Sequence, residues 1–147
     1  MKEFNLLEGY PKPQNPRIVG KNIRSINNRI VASKRGQDFF DGDRNFGYGG
    51  FNYDGRWLPV ASKINKRYLN KSESKFLQIN CEKGFLLNDI LKLNSLIQVF
   101  GTETSNYAIE QSLKSVQSNI ISAEPTRLPF EDNYFDYVVA IGTIYTL

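Results

Sequence analysis

The chain has 147 residues, of which 40% are hydrophobic, 23% charged and 13% aromatic. That suits one globular domain and excludes a disordered tail, a collagen-like repeat and a disulfide scaffold. One cysteine, Cys81, and no histidine exclude an intrachain disulfide, a His/Cys zinc site and the histidine-based catalytic triads, and no metal is expected. The net charge of +4 is uneven: residues 1–75 carry fifteen Lys/Arg against seven Asp/Glu, and residues 76–147 four against eight. A basic front half could face an anion, a nucleic acid or an acidic partner, but a solvated surface is the commoner origin of such a bias. No apolar run approaches the ~20 residues of a membrane span, and the N-terminus lacks a signal-peptide core, so a cytoplasmic protein is expected.

Residues 1–16, with Gly9, Pro11, Pro13 and Pro16, read as an irregular, partly mobile lead-in. Val19, Ile23, Ile26 and Ile30 recur at helical spacing among basic residues, and Gly36 supplies a stop, so residues 22–35 are read as an amphipathic helix. Residues 38–57 hold seven aromatics and five glycines in twenty positions. That composition predicts a loop or irregular hairpin rather than a helix. Trp57, Val60, Ala61, Ile64 and Tyr68 share one face of a helix ending near Leu69, with Pro59 tolerated in its first turn.

Beyond a polar connector the pattern changes. Strands are read at Phe76–Ile79, Ile97–Thr102, Ile120–Ala123 and Tyr137–Ile141, and helices at Phe85–Leu93 and Asn106–Val116. The fourth strand is the most apolar and reads as central. This alternation predicts an α/β fold with a mostly parallel sheet. The division that follows is an extension over residues 1–75 and a sheet domain over 76–147. Ligands of open parallel sheets bind beyond the carboxyl ends of the strands, and three such ends carry recognisable residues.

The first is FLQINCEKGFLL, residues 76–87, a strand, a turn with a glycine, and a helix. The second is QVFGTETSNYAIE, residues 98–110, where Glu103 is the acidic residue at a strand end, followed by Thr104 and by Ser105 or Asn106 as helix cap. The third runs SAEPTRLPFEDNYFDYVVAIGTIYTL, residues 122–147. Together these segments resemble motif I, the acidic strand end and the Leu-Pro-Phe…Phe-Asp segment of class I S-adenosylmethionine-dependent methyltransferases. Phe76, Leu77, Ile79, Cys81 and Gly84 keep the frame of motif I. Gln78 stands where that family has Asp, and Asn80 and Glu82 stand where it has Gly. The acidic positions Glu103 and Glu124 are both Glu where the family customarily has Asp.

The resemblance implies a Rossmann-like sheet in the order 3-2-1-4, probed by S-adenosylmethionine at Asn80, Cys81, Gly84, Glu103, Thr104, Glu124, Pro125 and Ile141. Glu103 would accept hydrogen bonds from the ribose hydroxyls, Glu124 from the adenine amino group, and Pro125 or a neighbouring backbone N–H would serve a ring nitrogen. Glu82 would add bulk and negative charge beside the carboxylate of the cofactor. The aromatic and glycine-rich segment resembles the region before motif I in a bacterial subgroup, which implies a lid with Arg44, Tyr48, Tyr53 and Arg56 as lining; an aromatic mini-core beneath a long loop is the competing reading. Tyr145 is the polar aromatic expected at the acceptor side.

The expected activity is methyl transfer to a small molecule or biosynthetic intermediate, with no catalytic acid or base assigned. A non-catalytic protein that keeps the fold is the alternative. Nucleic-acid binding through the basic half ranks lower, as does a nicotinamide dehydrogenase, because G-x-G-x-x-G is absent. The family's sheet has seven strands, so four strands lead us to expect the front portion of such a domain, with an exposed fourth strand as a route to homo-oligomers.

Overall fold

The structure is a computed structural model describing residues 4–13, 24–69 and 73–143. Two compact units are present, residues 11–54 and residues 1–10 together with 55–147.

The smaller unit contains α1 (Ile26–Ser33) and α2 (Gln37–Asp41). Helix α1 is shorter than the residues 22–35 expected from spacing, and its start is set by Ser25, whose Oγ accepts from Asn28 N at 3.1 Å. Its apolar positions are not buried: Ile26 is 79% exposed and Ile30 53%. Val19 and Ile23 lie outside the described residues. Helix α2 corrects the reading of residues 38–57 as helix-free. Phe40 is fully buried and packs with Phe39, Tyr48 and Phe51, so a local aromatic cluster fixes one helical turn that the glycine content had argued against. Tyr48 N donates to Phe39 O at 2.8 Å and Gly50 N to Phe40 O at 3.0 Å, folding the glycine-rich segment back on the helix.

The larger unit is built on a four-stranded parallel sheet. Its elements are α3 (Leu58–Arg67), β1 (Lys75–Ile79), α4 (Phe85–Leu93), β2 (Gln98–Glu103), α5 (Asn106–Glu110), β3 (Ile120–Ser122) and β4 (Tyr137–Ala140). The strand order is β3-β2-β1-β4 with every pair parallel, the order the motifs implied. Phe76, Val99 and Ile120 point to one face and join Val60, Ala61, Ile64, Leu86, Leu87 and Ile90 in the core. Of the lead-in, residues 4–10 are irregular and anchored here, with Leu6 and Tyr10 packed against that core and Tyr10 against Trp57 at 4.7 Å between ring centroids.

The opposite face carries Leu77 and Phe100, and the Leu-Pro-Phe…Phe-Asp segment covers it. Phe130 and Phe135 pack edge-on to each other at 4.6 Å, and Phe135 meets Phe100 at 5.4 Å. Asp136 fixes the start of two strands: its Oδ2 accepts from Lys75 N at 2.8 Å and its own N–H donates to Lys75 O at 3.1 Å. Asp136→Ala is expected to lower stability by about 1 kcal/mol, since only the side-chain half of this exchange is lost; urea unfolding of the two proteins measures it.

Two expectations need correction. Helix α5 ends at Glu110, not Val116, because Ser112 Oγ donates back to Ile109 O at 2.6 Å and Gln117 Nε2 takes the Ile109 and Glu110 carbonyls at 3.1 and 2.8 Å. Strand β4, read as central, pairs only with β1 among the described residues and leaves Val138 55% exposed.

Candidate functional site

The carboxyl ends of β1, β2 and β3 lie side by side because the order places β1 and β3 on either side of β2. The turn from β1 into α4, residues 80–84, is unusual in its backbone. Asn80, Glu82 and Gly84 have φ of +53°, +54° and +72°. Left-handed conformations cost an ordinary L residue about 1–2 kcal/mol, and asparagine tolerates them best. The turn is held at both ends: Cys81 N donates to Thr102 O at 2.9 Å, and Gly84 N to Cys81 O at 2.9 Å.

Its glycine is required by packing. A Cβ at Gly84 would lie 2.7 Å from Val116 Cγ2 and 3.0 Å from Ile120 Cδ1. Gly101, in the middle of β2, makes room in the same way for Cys81, whose Sγ would stand 2.5 Å from an added Cβ. Both glycines therefore let the turn and β3 close on β2.

Glu103 ends β2 and is fully buried. Its Oε2 accepts from Glu82 N at 2.8 Å; its Oε1 accepts from Thr104 N at 2.9 Å and Ser105 N at 3.0 Å. Backbone N–H groups thus converge on one buried carboxylate from two adjacent strand ends. The link between Glu82 N–H and Glu103 carries no sequence signal, because any residue but proline supplies that N–H. Glu82, expected as an obstacle, contributes this donor whatever its side chain does. Ser105 also caps α5, its Oγ accepting from Ala108 N at 3.1 Å.

Cys81 is 3% exposed, and burial, reinforced by the charges of Glu103 and Glu82, holds its thiol well above the ordinary thiol range. The folded protein is expected to resist alkylation by iodoacetamide at pH 8.5, with labelling appearing only on unfolding. The protonated thiol is favoured by the fold, so this contribution to stability is present below the free-thiol pKa and is lost as pH rises through the folded value.

The other expected positions are placed as follows. Glu124 is exposed and Pro125 half-buried just after β3, where Arg127 N donates to Glu124 O at 3.0 Å and Ala123 N to Glu103 O at 3.2 Å. Ile141 follows β4 and packs against the core; Thr143 is buried and donates to Ile79 O at 3.3 Å. Arg44 turns its guanidinium to the carbonyls of Gly47 and Tyr48 in its own loop, and Tyr48 stacks on Phe51 at 4.3 Å. Tyr53 and Arg56 are half-buried. Tyr145 lies outside the described residues. Two hollows, of about 260 and 400 Å³, sit on the sheet faces near Phe76 and Leu77.

Residues 77–147 match the family of methyltransferase domains. No curated protein matches the chain. Among solved structures, the chain is similar to a protein of Methanococcus maripaludis described as an S-adenosyl-L-methionine-dependent methyltransferase, at 21% identity and a TM-score of 0.55 over 62% of this chain and 44% of that one. It is also similar to the glycopeptide N-methyltransferase MtfA complexed with sinefungin, at 20% identity and a TM-score of 0.52 over 69% and 42%. The chain thus spans less than half the length of either structure. No helix among the described residues is long and apolar enough to cross a membrane. Residues 77–147, just under half of the chain, thus match a methyltransferase domain, and the two solved structures share its fold.

Proposed function

We propose that the strand ends bind S-adenosylmethionine and that the protein serves methyl transfer to a small-molecule acceptor in the cytoplasm. The observation that carries this reading is Glu103: a buried carboxylate at the end of β2, held by N–H groups and facing the β1–α4 turn. Such a group accepts the vicinal hydroxyls of a ribose. Two further observations suit a polar ligand. Gln78 Oε1 and Thr102 Oγ1 are buried near the ends of β1 and β2 with no hydrogen-bond partner among the described residues. Buried polar atoms of that kind are costly unless a ligand or water meets them. The residues present therefore fit the cofactor.

When bound, S-adenosylmethionine supplies a methyl group already activated on a sulfonium sulfur. What remains for the chain is to bind, orient and exclude water. Glu103 fixes the ribose, and Asn80–Gly84 line the amino-acid end. Glu124 and Pro125 stand on the adenine side, while Thr104 follows the ribose contact. Ile141 bounds the site beyond β4. Arg56 is proposed to line the acceptor side, the role the resemblance also implied for Arg44, Tyr48, Tyr53 and Tyr145.

The second reading, a non-catalytic domain that keeps the fold, is favoured by Gln78, Asn80 and Glu82 at the family's Asp and Gly positions. Isothermal titration separates them. Saturable heat with S-adenosylmethionine is expected; no heat at millimolar ligand assigns the chain to the second reading.

A further inference from the structure

Four donors converge on the Glu103 carboxylate: Glu82 N at 2.8 Å on Oε2, and Thr104 N at 2.9 Å, Ser105 N at 3.0 Å and the Thr104 hydroxyl at 3.3 Å on Oε1. An ionised carboxylate offers about four lone-pair sites. Oε1 is therefore fully taken, while Oε2 keeps one site beside the Glu82 donor, so the two hydroxyls of a ribose cannot both bind without displacing a donor.

The donors differ in how firmly they are held. Thr104 and Ser105 follow Glu103 directly, and Ser105 is pinned as the cap of α5. The Thr104 hydroxyl makes the longest of the four bonds and turns on a side-chain rotor. Glu82 N–H comes from 21 residues away, on a turn where Glu82 itself stands at φ +54°. A non-glycine residue in that conformation persists only while its surroundings hold it there. The bond from its own N–H to Glu103 is one of the contacts that do so.

We infer that the Glu82 N–H···Glu103 bond is a latch that closes the turn, and that the ribose diol opens it by taking the Glu82 donor's place on Oε2. The inference rests on the reading of these strand ends as a nucleoside site and adds a conformational step to it. A glycine at position 82 would adopt either backbone state without strain; glutamate holds the closed turn only with the help of contacts such as the latch. Nucleoside binding is thereby coupled to the conformation of residues 80–84.

The test uses the full chain, labelled with ¹⁵N, and two probes, adenosine and 2′,3′-dideoxyadenosine. In the free protein the Glu82 amide proton is expected downfield and protected from exchange. Saturation with adenosine is expected to move it upfield and to speed its exchange by about tenfold or more, while the dideoxynucleoside leaves it in place. If adenosine shifts Gly84 and Thr104 while the Glu82 amide keeps its position and protection, the latch is wrong and the nucleoside site stands. If neither probe nor S-adenosylhomocysteine shifts any amide of the strand ends at millimolar concentration, the nucleoside site falls and the latch with it.

Discussion

Replacing Glu103 with glutamine is expected to weaken S-adenosylmethionine binding by about 100-fold. The change removes the charge from an acceptor of two ribose hydroxyls, and charge-assisted hydrogen bonds are worth about 1.5–3 kcal/mol each. The same substitution turns an NH₂ group toward one set of backbone donors, because Glu103 receives N–H groups on both oxygens. At least one of Glu82 N, Thr104 N and Ser105 N then loses its acceptor in a buried place. Stability is expected to fall by about 1–3 kcal/mol in consequence. Calorimetric titration of the variant, kept well below its melting temperature, separates the two effects. Unchanged affinity in a folded Glu103→Gln protein would remove Glu103 from the site.

The second large effect is structural. Gly84→Val is expected to destabilise the larger unit by more than about 3 kcal/mol, through a β-branched residue in the left-handed region added to overpacking. The added side chain would enter the space of Val116 and Ile120, which approach within 2.7 and 3.0 Å of a Cβ at that position. Gly84→Ala with Val116→Ala tests the division of the two costs. The paired change is expected to recover the packing share seen in Gly84→Ala alone and to leave the backbone share, giving a non-additive cycle. Additive losses in urea unfolding would show that Val116 does not set the requirement for glycine.

Most of the sheet was legible in the sequence. The pattern gives helix α4 residue by residue and the strands to within one or two, because β1, β2 and α4 carry apolar runs bounded by turn residues. The order 3-2-1-4 came from the resemblance rather than from the pattern. The misreadings have local causes. Helix α2 forms where glycine content argued against it, since Phe40 finds a fully buried place among rings. The expected α5 ran too long because no periodicity reports a glutamine side chain, Gln117, capturing the carbonyls of the last turn. Strand β4 looked central by composition, yet composition does not reveal which neighbour a strand has.

The candidate site is legible as residue types but not as a network. Glu103 could be singled out by its place at a strand end. That its partners are the N–H groups of Glu82, Thr104 and Ser105 depends on the turn geometry, and backbone donors leave no trace in a sequence. Gly84 is visible as a glycine in a motif frame, and Gly101 as a glycine inside a strand. Their contacts with Val116 and Cys81 show that they permit packing, a role the motif frame does not distinguish from close approach to a ligand.

The central claim is that the ends of β1, β2 and β3 form one cofactor site. An amide chemical-shift map of the full chain under saturation with S-adenosylhomocysteine tests it most directly. The account predicts shifts concentrated at Asn80–Gly84, Glu103–Ser105 and Glu124. Shifts that cluster instead around Phe76 and Tyr137, or that are absent at saturating ligand, would contradict it.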